Sequence, residues 1–139
     1  MSPLEISSDP ARLDLPLIHR FLSEESSWAR GISFETVERA IAYSLCFGGY
    51  VDGAQVAFAR VISDQATYAY LVDVFVLPEQ RGRGHSKALM AAVMAHPQLQ
   101  GLRRFALATS TAHGLYAQFG FAAPARAQSM MGLDGADVY

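Results

Sequence analysis

The stretch from Leu71 to Ser86 constrains this chain more than any other. A β-branched, mostly apolar run, Leu71-Val72-Asp73-Val74-Phe75-Val76-Leu77, stops at Pro78, and the Arg/Gly-rich turn Arg81-Gly82-Arg83-Gly84-His85 follows. Ser86 to Ala95 then reads as a helix. A strand that opens through glycines into a helix N-terminus is a place to hold a phosphate. The glycines let the backbone come close, the first helical N–H groups lack internal partners, and the helix dipole adds partial positive charge. Arg81 and Arg83 add full charges beside it.

The common nucleotide patterns do not fit. A P-loop requires Gly, four residues, then Gly-Lys-Ser/Thr, which the chain lacks. A dinucleotide fingerprint requires a further glycine near Lys87 and a ribose-binding unit after the turn; neither is present. Thirteen acidic against eleven basic residues, net charge -2, give no reason to expect nucleic-acid binding. Nearly all basic side chains are arginine, which suits phosphate contacts, although such a bias can be compositional only. The single cysteine, Cys46, rules out an internal disulfide framework and points to a reducing compartment. It has no basic sequence neighbour to activate it and reads as a core thiol. No leader-like or membrane-spanning run is visible, so the chain is expected to be cytoplasmic. Four histidines without metal-ligand spacing argue against zinc or another metal.

At 139 residues and 51% hydrophobic, the chain is expected to form one domain over 1–139. Leu4 to Ser7 predicts a first strand. Asp14 caps a helix through about Glu25, with Pro16 in its first turn. Ser26 to Ile32 reads as a loop, and Ser33 caps a second helix from Phe34 to about Leu45. Phe47–Val51 and Gln55–Ile62 predict a hairpin turning at Asp52-Gly53. Asp64-Gln65 is a second turn, and Thr67 to Leu77 a long strand. After the Ser86–Ala95 helix come a strand at Arg104–Ala108, a short helix at Ala112–Phe119, and a last strand or hairpin from Gly120-Phe121. Ser129 to Leu133 would pair back. Strands three and four are joined antiparallel; four and five are joined through a helix and should be parallel.

The turn Arg81-Gly82-Arg83-Gly84-His85-Ser86 resembles the cofactor motif of the GNAT superfamily of acyl-CoA N-acyltransferases, Arg/Gln-x-x-Gly-x-Gly/Ala after a strand. Ser86 departs at the last position; it is small enough to keep the close approach. A second stretch, Ala112-His113-Gly114-Leu115-Tyr116-Ala117-Gln118-Phe119-Gly120-Phe121, is similar to the family pattern Ala-x-x-Leu-Tyr-x-x-x-Gly-Phe at every fixed position. The resemblance covers nearly the whole chain. It implies a mixed α/β fold, a central mixed sheet flanked by about four helices. The activity it implies is acetyl transfer from acetyl-CoA, without a metal, to a primary amine by direct attack in a ternary complex. The alternatives from the same residues are an acyl-CoA-binding module or sensor without catalysis, and a different phosphate ligand such as a nucleotide.

The resemblance implies roles for individual residues. The Arg81, Gly82, Arg83, Gly84, His85 and Ser86 segment would cradle the pyrophosphate. Val74, Phe75 and Val76 would offer backbone groups to the pantetheine arm, with an N–H near Val74 or Phe75 polarising the thioester carbonyl. Thr109 stands where many members place an asparagine that touches pantetheine. Tyr116 matches the tyrosine that often protonates the leaving thiolate; the plainer reading is a packing residue. Asp73, the one charge inside the long apolar strand, should face a polar cleft or a partner such as an arginine. It reads as base, ammonium anchor or structural ion-pair member. His85 is either a phosphate donor or a solvent-facing helix-start residue. Trp28 and Arg30 lie in a loop that borders the acceptor pocket in this family, although Trp28 could equally pack the helix pair onto the sheet. The acceptor would be a small-molecule or peptide amine, with no nucleic-acid or membrane partner. A homodimer remains open.

Overall fold

The computed structural model describes residues 2–135. Helix α1 (Leu15–Arg20) starts where Asp14 Oδ1 accepts the Leu17 N–H at 3.1 Å, with Pro16 in its first turn. It continues as a π-helical turn, Phe21–Glu25, closed by the Ser26 N–H donating to the Phe21 carbonyl at 2.9 Å. Helix α2 (Phe34–Ala42) is capped by Ser33, whose hydroxyl accepts the Thr36 N–H at 3.1 Å. The sequence predicts α2 to run through Leu45, but it ends at Ala42. Tyr43 leaves the helical backbone at φ -108°, Ser44 turns its hydroxyl back onto the Ala40 carbonyl, and Leu45 opens the next strand.

Five strands form one sheet in chain order: β1 (Glu5–Ser7), β2 (Leu45–Val51), β3 (Ala54–Ser63), β4 (Tyr68–Val76) and β5 (Arg104–Leu107). The first three pairings are antiparallel and β4–β5 is parallel, as the crossover through helix α3 (His85–Ala95) requires. Asp52 and Gly53, at φ 51° and 82°, make the two-residue turn between β2 and β3. Helix α4 (His113–Ala117) follows β5.

Alternation along β3 builds a core on each face. Ala57, Ala59 and Val61 pack with Leu89, Met90 and Val93 of α3. Phe58 points the other way and joins Cys46, Phe75, Ile18, Phe21 and Leu22 beneath α1. Beyond Phe121 the expected last strand is absent among the described residues. Residues 122–135 are exposed and carry a single 3-10 turn, Ala127–Ser129. Their alanines and glycines supply no alternating face to bury, and Met130, Met131 and Leu133 stay in solvent. No helix of the described residues is long and apolar enough to cross a membrane.

Candidate active site

The site begins where the sheet opens. The β4–β5 ladder runs from Tyr68 opposite Arg104 to Leu71 opposite Leu107 and stops, while β4 continues to Val76. From Val72 onward the β4 edge that faced β5 has no strand beside it among the described residues. At the same place β4 bulges. Arg60 pairs with Val72 and Phe58 with Phe75, so Ala59 alone opposes Asp73 and Val74, and Asp73 takes φ 57°.

Backbone direction decides which groups that open edge presents. The Leu77 N–H donates to the Val56 carbonyl, so Leu77 faces β3. Polar groups alternate sides along a strand, so Phe75 faces β3 as well, and Val74 and Val76 face the gap. The Val76 carbonyl there accepts Arg81 Nε at 3.0 Å. Of the three residues expected to offer backbone groups, Val74 and Val76 are placed to do so. Phe75 is not: its N–H turns to β3 and its ring lies in the core.

The gap runs into the Arg81–Ser86 turn. Gly82 and Gly84 have φ 77° and 79°, a conformation that favours glycine, and a Cβ at either would meet no atom within 4 Å. Gly84 is the N-cap of α3 and provides no side-chain cap, so the helix presents bare N–H groups. A cavity of about 240 Å³ lies over this end, lined among others by Val76, Arg81, Ser86, Lys87 and Leu115. His85 is not a solvent-facing residue: it is buried, with Nε2 3.2 Å from Gln80 Oε1, the same oxygen that accepts from Arg83 Nη1 at 3.2 Å. Gln80 thus holds the turn together and Lys87 adds a charge, two contributions not singled out from sequence.

Tyr116 lies on α4, buried, with its ring edge-on to Phe121. Burial pushes its phenol above the ordinary tyrosine value. Its hydroxyl has no partner among the described residues, yet is not one of the sealed, unsatisfied polar atoms. Its helix neighbour Leu115 lines the cavity over the Arg81–Ser86 turn, which places α4 beside that end of the gap. Thr109 does not point free into the gap: its hydroxyl accepts the Ala112 N–H at 3.0 Å and shapes the approach to α4.

Asp73 has found the arginine partner that its burial demanded. Arg60 Nε donates to Oδ2 at 2.9 Å and Trp28 Nε1 to Oδ1 at 2.8 Å. Trp28 is 49% exposed, so it is not a wedge between helices and sheet but a loop residue tied to β4 through its N–H. Arg30 stays on that loop, bonded to the Glu24 carbonyl. His113 is exposed at the start of α4. Cys46 is buried beside Arg60, and burial pushes its thiol up to about 12, which removes it as a nucleophile. Among the described residues no group of three acidic, histidine or cysteine side chains could hold a metal.

The acetyltransferase (GNAT) family model matches residues 15–121, a span that holds the opened strand, the turn and α4. The chain belongs to the GNAT acetyltransferase family. A curated relative from Gibberella zeae, an acetyltransferase by name, is 32% identical over 127 residues, covering 76% of this chain and 71% of its own. A crystal structure described as a GNAT-family acetyltransferase, from Xanthomonas campestris pv. campestris, shares 63% identity with a TM-score of 0.96, over 100% of this chain and 98% of that one. A Clostridium acetobutylicum acetyltransferase structure, solved with acetyl-CoA, has a TM-score of 0.68 and 14% identity over 96% of each chain; it shares the fold. This GNAT member thus combines the family's mixed sheet with a fully partnered carboxylate at the β4 bulge.

Proposed function

We propose that this GNAT member transfers the acetyl group of acetyl-CoA to a primary amine, small-molecule or peptide, by direct attack in a ternary complex. The observation that carries this reading is the unpaired β4 edge running straight into an uncapped, glycine-lined helix N-terminus. The glycine conformations leave room for a pyrophosphate, and an acetyl-CoA-bound structure on the same fold supports the choice of ligand.

The residues divide the work. The amides of His85, Ser86 and Lys87, with the Arg81 and Arg83 guanidiniums, hold pyrophosphate. Val76 offers an extended arm the backbone groups that a neighbouring strand would otherwise take. When bound, acetyl-CoA supplies a thioester carbonyl that an amine can attack as the C–S bond breaks. The Val74 N–H is aimed at the gap and would stabilise negative charge growing on that carbonyl oxygen. Tyr116, kept protonated by burial, donates its proton to the departing sulfur. With both Asp73 oxygens engaged by Arg60 and Trp28, the ammonium acceptor loses its proton to solvent and attacks as the neutral amine, and Asp73 serves the acceptor side as a member of that ion pair. Trp28 forms part of the acceptor wall, and Arg30 lies on the same loop.

The test is calorimetry with acetyl-CoA, followed by assay of free CoA against a panel of amines. Binding with amine-dependent CoA release supports the reading. Binding without turnover across the panel would make the protein a non-catalytic acyl-CoA module, and ATP displacing acetyl-CoA would reassign the turn.

A further inference from the structure

Asp73 occupies a conformation that its Cβ disfavours, φ 57°, at the one place where β4 has two residues opposite one. The conformation has a consequence for every residue after it. Val72 and Phe75 face the same side of the sheet although three positions separate them, which a regular strand forbids. Without the bulge, alternation would turn the Val74 N–H toward β3 and carry the Phe75 ring to the opposite face. The bulge is therefore what aims the Val74 N–H into the gap.

A relay of polar contacts fixes that bulge from outside β4. Ser44 donates its hydroxyl to the Ala40 carbonyl of α2 at 2.7 Å and accepts Arg60 Nη1 at 3.1 Å. Arg60 donates Nε to Asp73 Oδ2 at 2.9 Å, and Trp28 donates to Oδ1 at 2.8 Å. The Arg60 and Asp73 side chains are 15% and 9% exposed, so the pair is weakly screened. We propose that Arg60 and Trp28 are positioning residues: by engaging both oxygens of Asp73 they hold its left-handed backbone, and with it the Val74 N–H, in the orientation that acetyl transfer needs. Arg60 acts from β3 and Trp28 from the acceptor-side loop, so the loop and the carbonyl-binding N–H are coupled through one carboxylate.

This inference rests on the acetyl-transfer reading, and its test separates the two. The variants are Arg60→Met, Arg60→Lys and the double variant Arg60→Met/Asp73→Gly. Glycine adopts the left-handed conformation unaided, and the double variant leaves no unpaired charge. Single-turnover acetyl transfer by Arg60→Met should fall about tenfold or more, with acetyl-CoA affinity held within about twofold. Arg60→Lys should recover part of the rate. The double variant should be faster than Arg60→Met by about fivefold or more, on the scale of the left-handed penalty removed. A double variant as slow as Arg60→Met, or slower, would overturn the proposal and show that the charges themselves are required. Amide exchange at Val74 in the ligand-free protein gives an independent readout. It should slow in Arg60→Met, as the Val74 N–H turns from the open gap toward β3, and return toward the parent rate in the double variant; an unchanged Val74 amide across the series would also overturn the proposal. If the parent protein transfers no acetyl group, the exchange pattern still decides whether Arg60 holds the bulge.

Discussion

The rings of Phe21 and Phe75 stack with centroids 4.0 Å apart and planes 11° from parallel. The contact ties α1's π-helical continuation to β4 two residues beyond the bulge. It exists because the bulge sends the Phe75 ring to this face while Val74 and Val76 point their backbone groups into the gap. Phe75→Ala should therefore cost stability and rate together. Truncating a buried phenylalanine costs about 3–5 kcal/mol, to be read from urea melts. Phe75→Leu, which keeps most of the volume, should retain far more of both stability and acetyl transfer.

Gly84→Val should abolish detectable acetyl-CoA binding with the fold retained. The glycine sits at φ 79° and is the N-cap of α3, over which a pyrophosphate would approach under the proposed function. A β-branched side chain both strains that backbone and fills the approach. Calorimetry on the variant, with circular dichroism as the folding control, checks this; unchanged affinity would remove the turn from the cofactor site.

Tyr116→Phe should lower kcat by about 10²-fold, the scale for a lost general acid, and leave acetyl-CoA affinity unchanged. The pH dependence follows in sign. A proton donor works only while protonated, so its contribution falls as pH rises through its pKa. Burial raises that pKa above the ordinary value of about 10, so the parent should show no alkaline loss attributable to Tyr116 below that pH. Equal single-turnover rates for variant and parent would leave Tyr116 as a packing residue.

Cys46 should resist alkylation at pH 8 in the native protein and react on unfolding, because burial holds its thiol protonated up to about 12. The stability linkage has a definite sign. The unfolded chain loses this proton above about 8.5 while the native protein keeps it. Stability attributable to Cys46 is complete below that value and declines as pH rises toward 12. Urea melts of the parent and Cys46→Ala over pH 7 to 10.5 should differ in slope by up to about 1.4 kcal/mol per pH unit at the alkaline end.

Local patterns carried most of what the sequence made legible. The caps at Asp14 and Ser33, the Asp52-Gly53 turn, the Arg81–Ser86 turn and the Tyr116 helix all depend on residues within a few positions of one another, and all five stand in the structure. Periodicity overran at helix ends: α2 stops at Ala42, where Ser44 bonds back to Ala40, and α4 stops at Ala117, short of Phe119. The expected last strand failed for a different reason. Hydropathy gives Met130, Met131 and Leu133 apolar character, but a strand also needs a neighbour, and β5 gains none from 122–135.

The sequence by itself determined the glycine turn at the start of α3 and the order of elements, because backbone conformation at glycines and helix ends is a local property. It also required that a charge as isolated as Asp73 find a partner, because an unpaired buried carboxylate is too costly to keep. Only the tertiary structure decided that the partners are Arg60, thirteen residues away on β3, and Trp28, forty-five residues away on a loop. That choice depends on strand register, and register changes at the bulge itself, where one extra residue shifts every later side chain to the other face. The same shift selects Val74 rather than Phe75 to face the gap, because the direction of a backbone N–H is fixed by how strands pair.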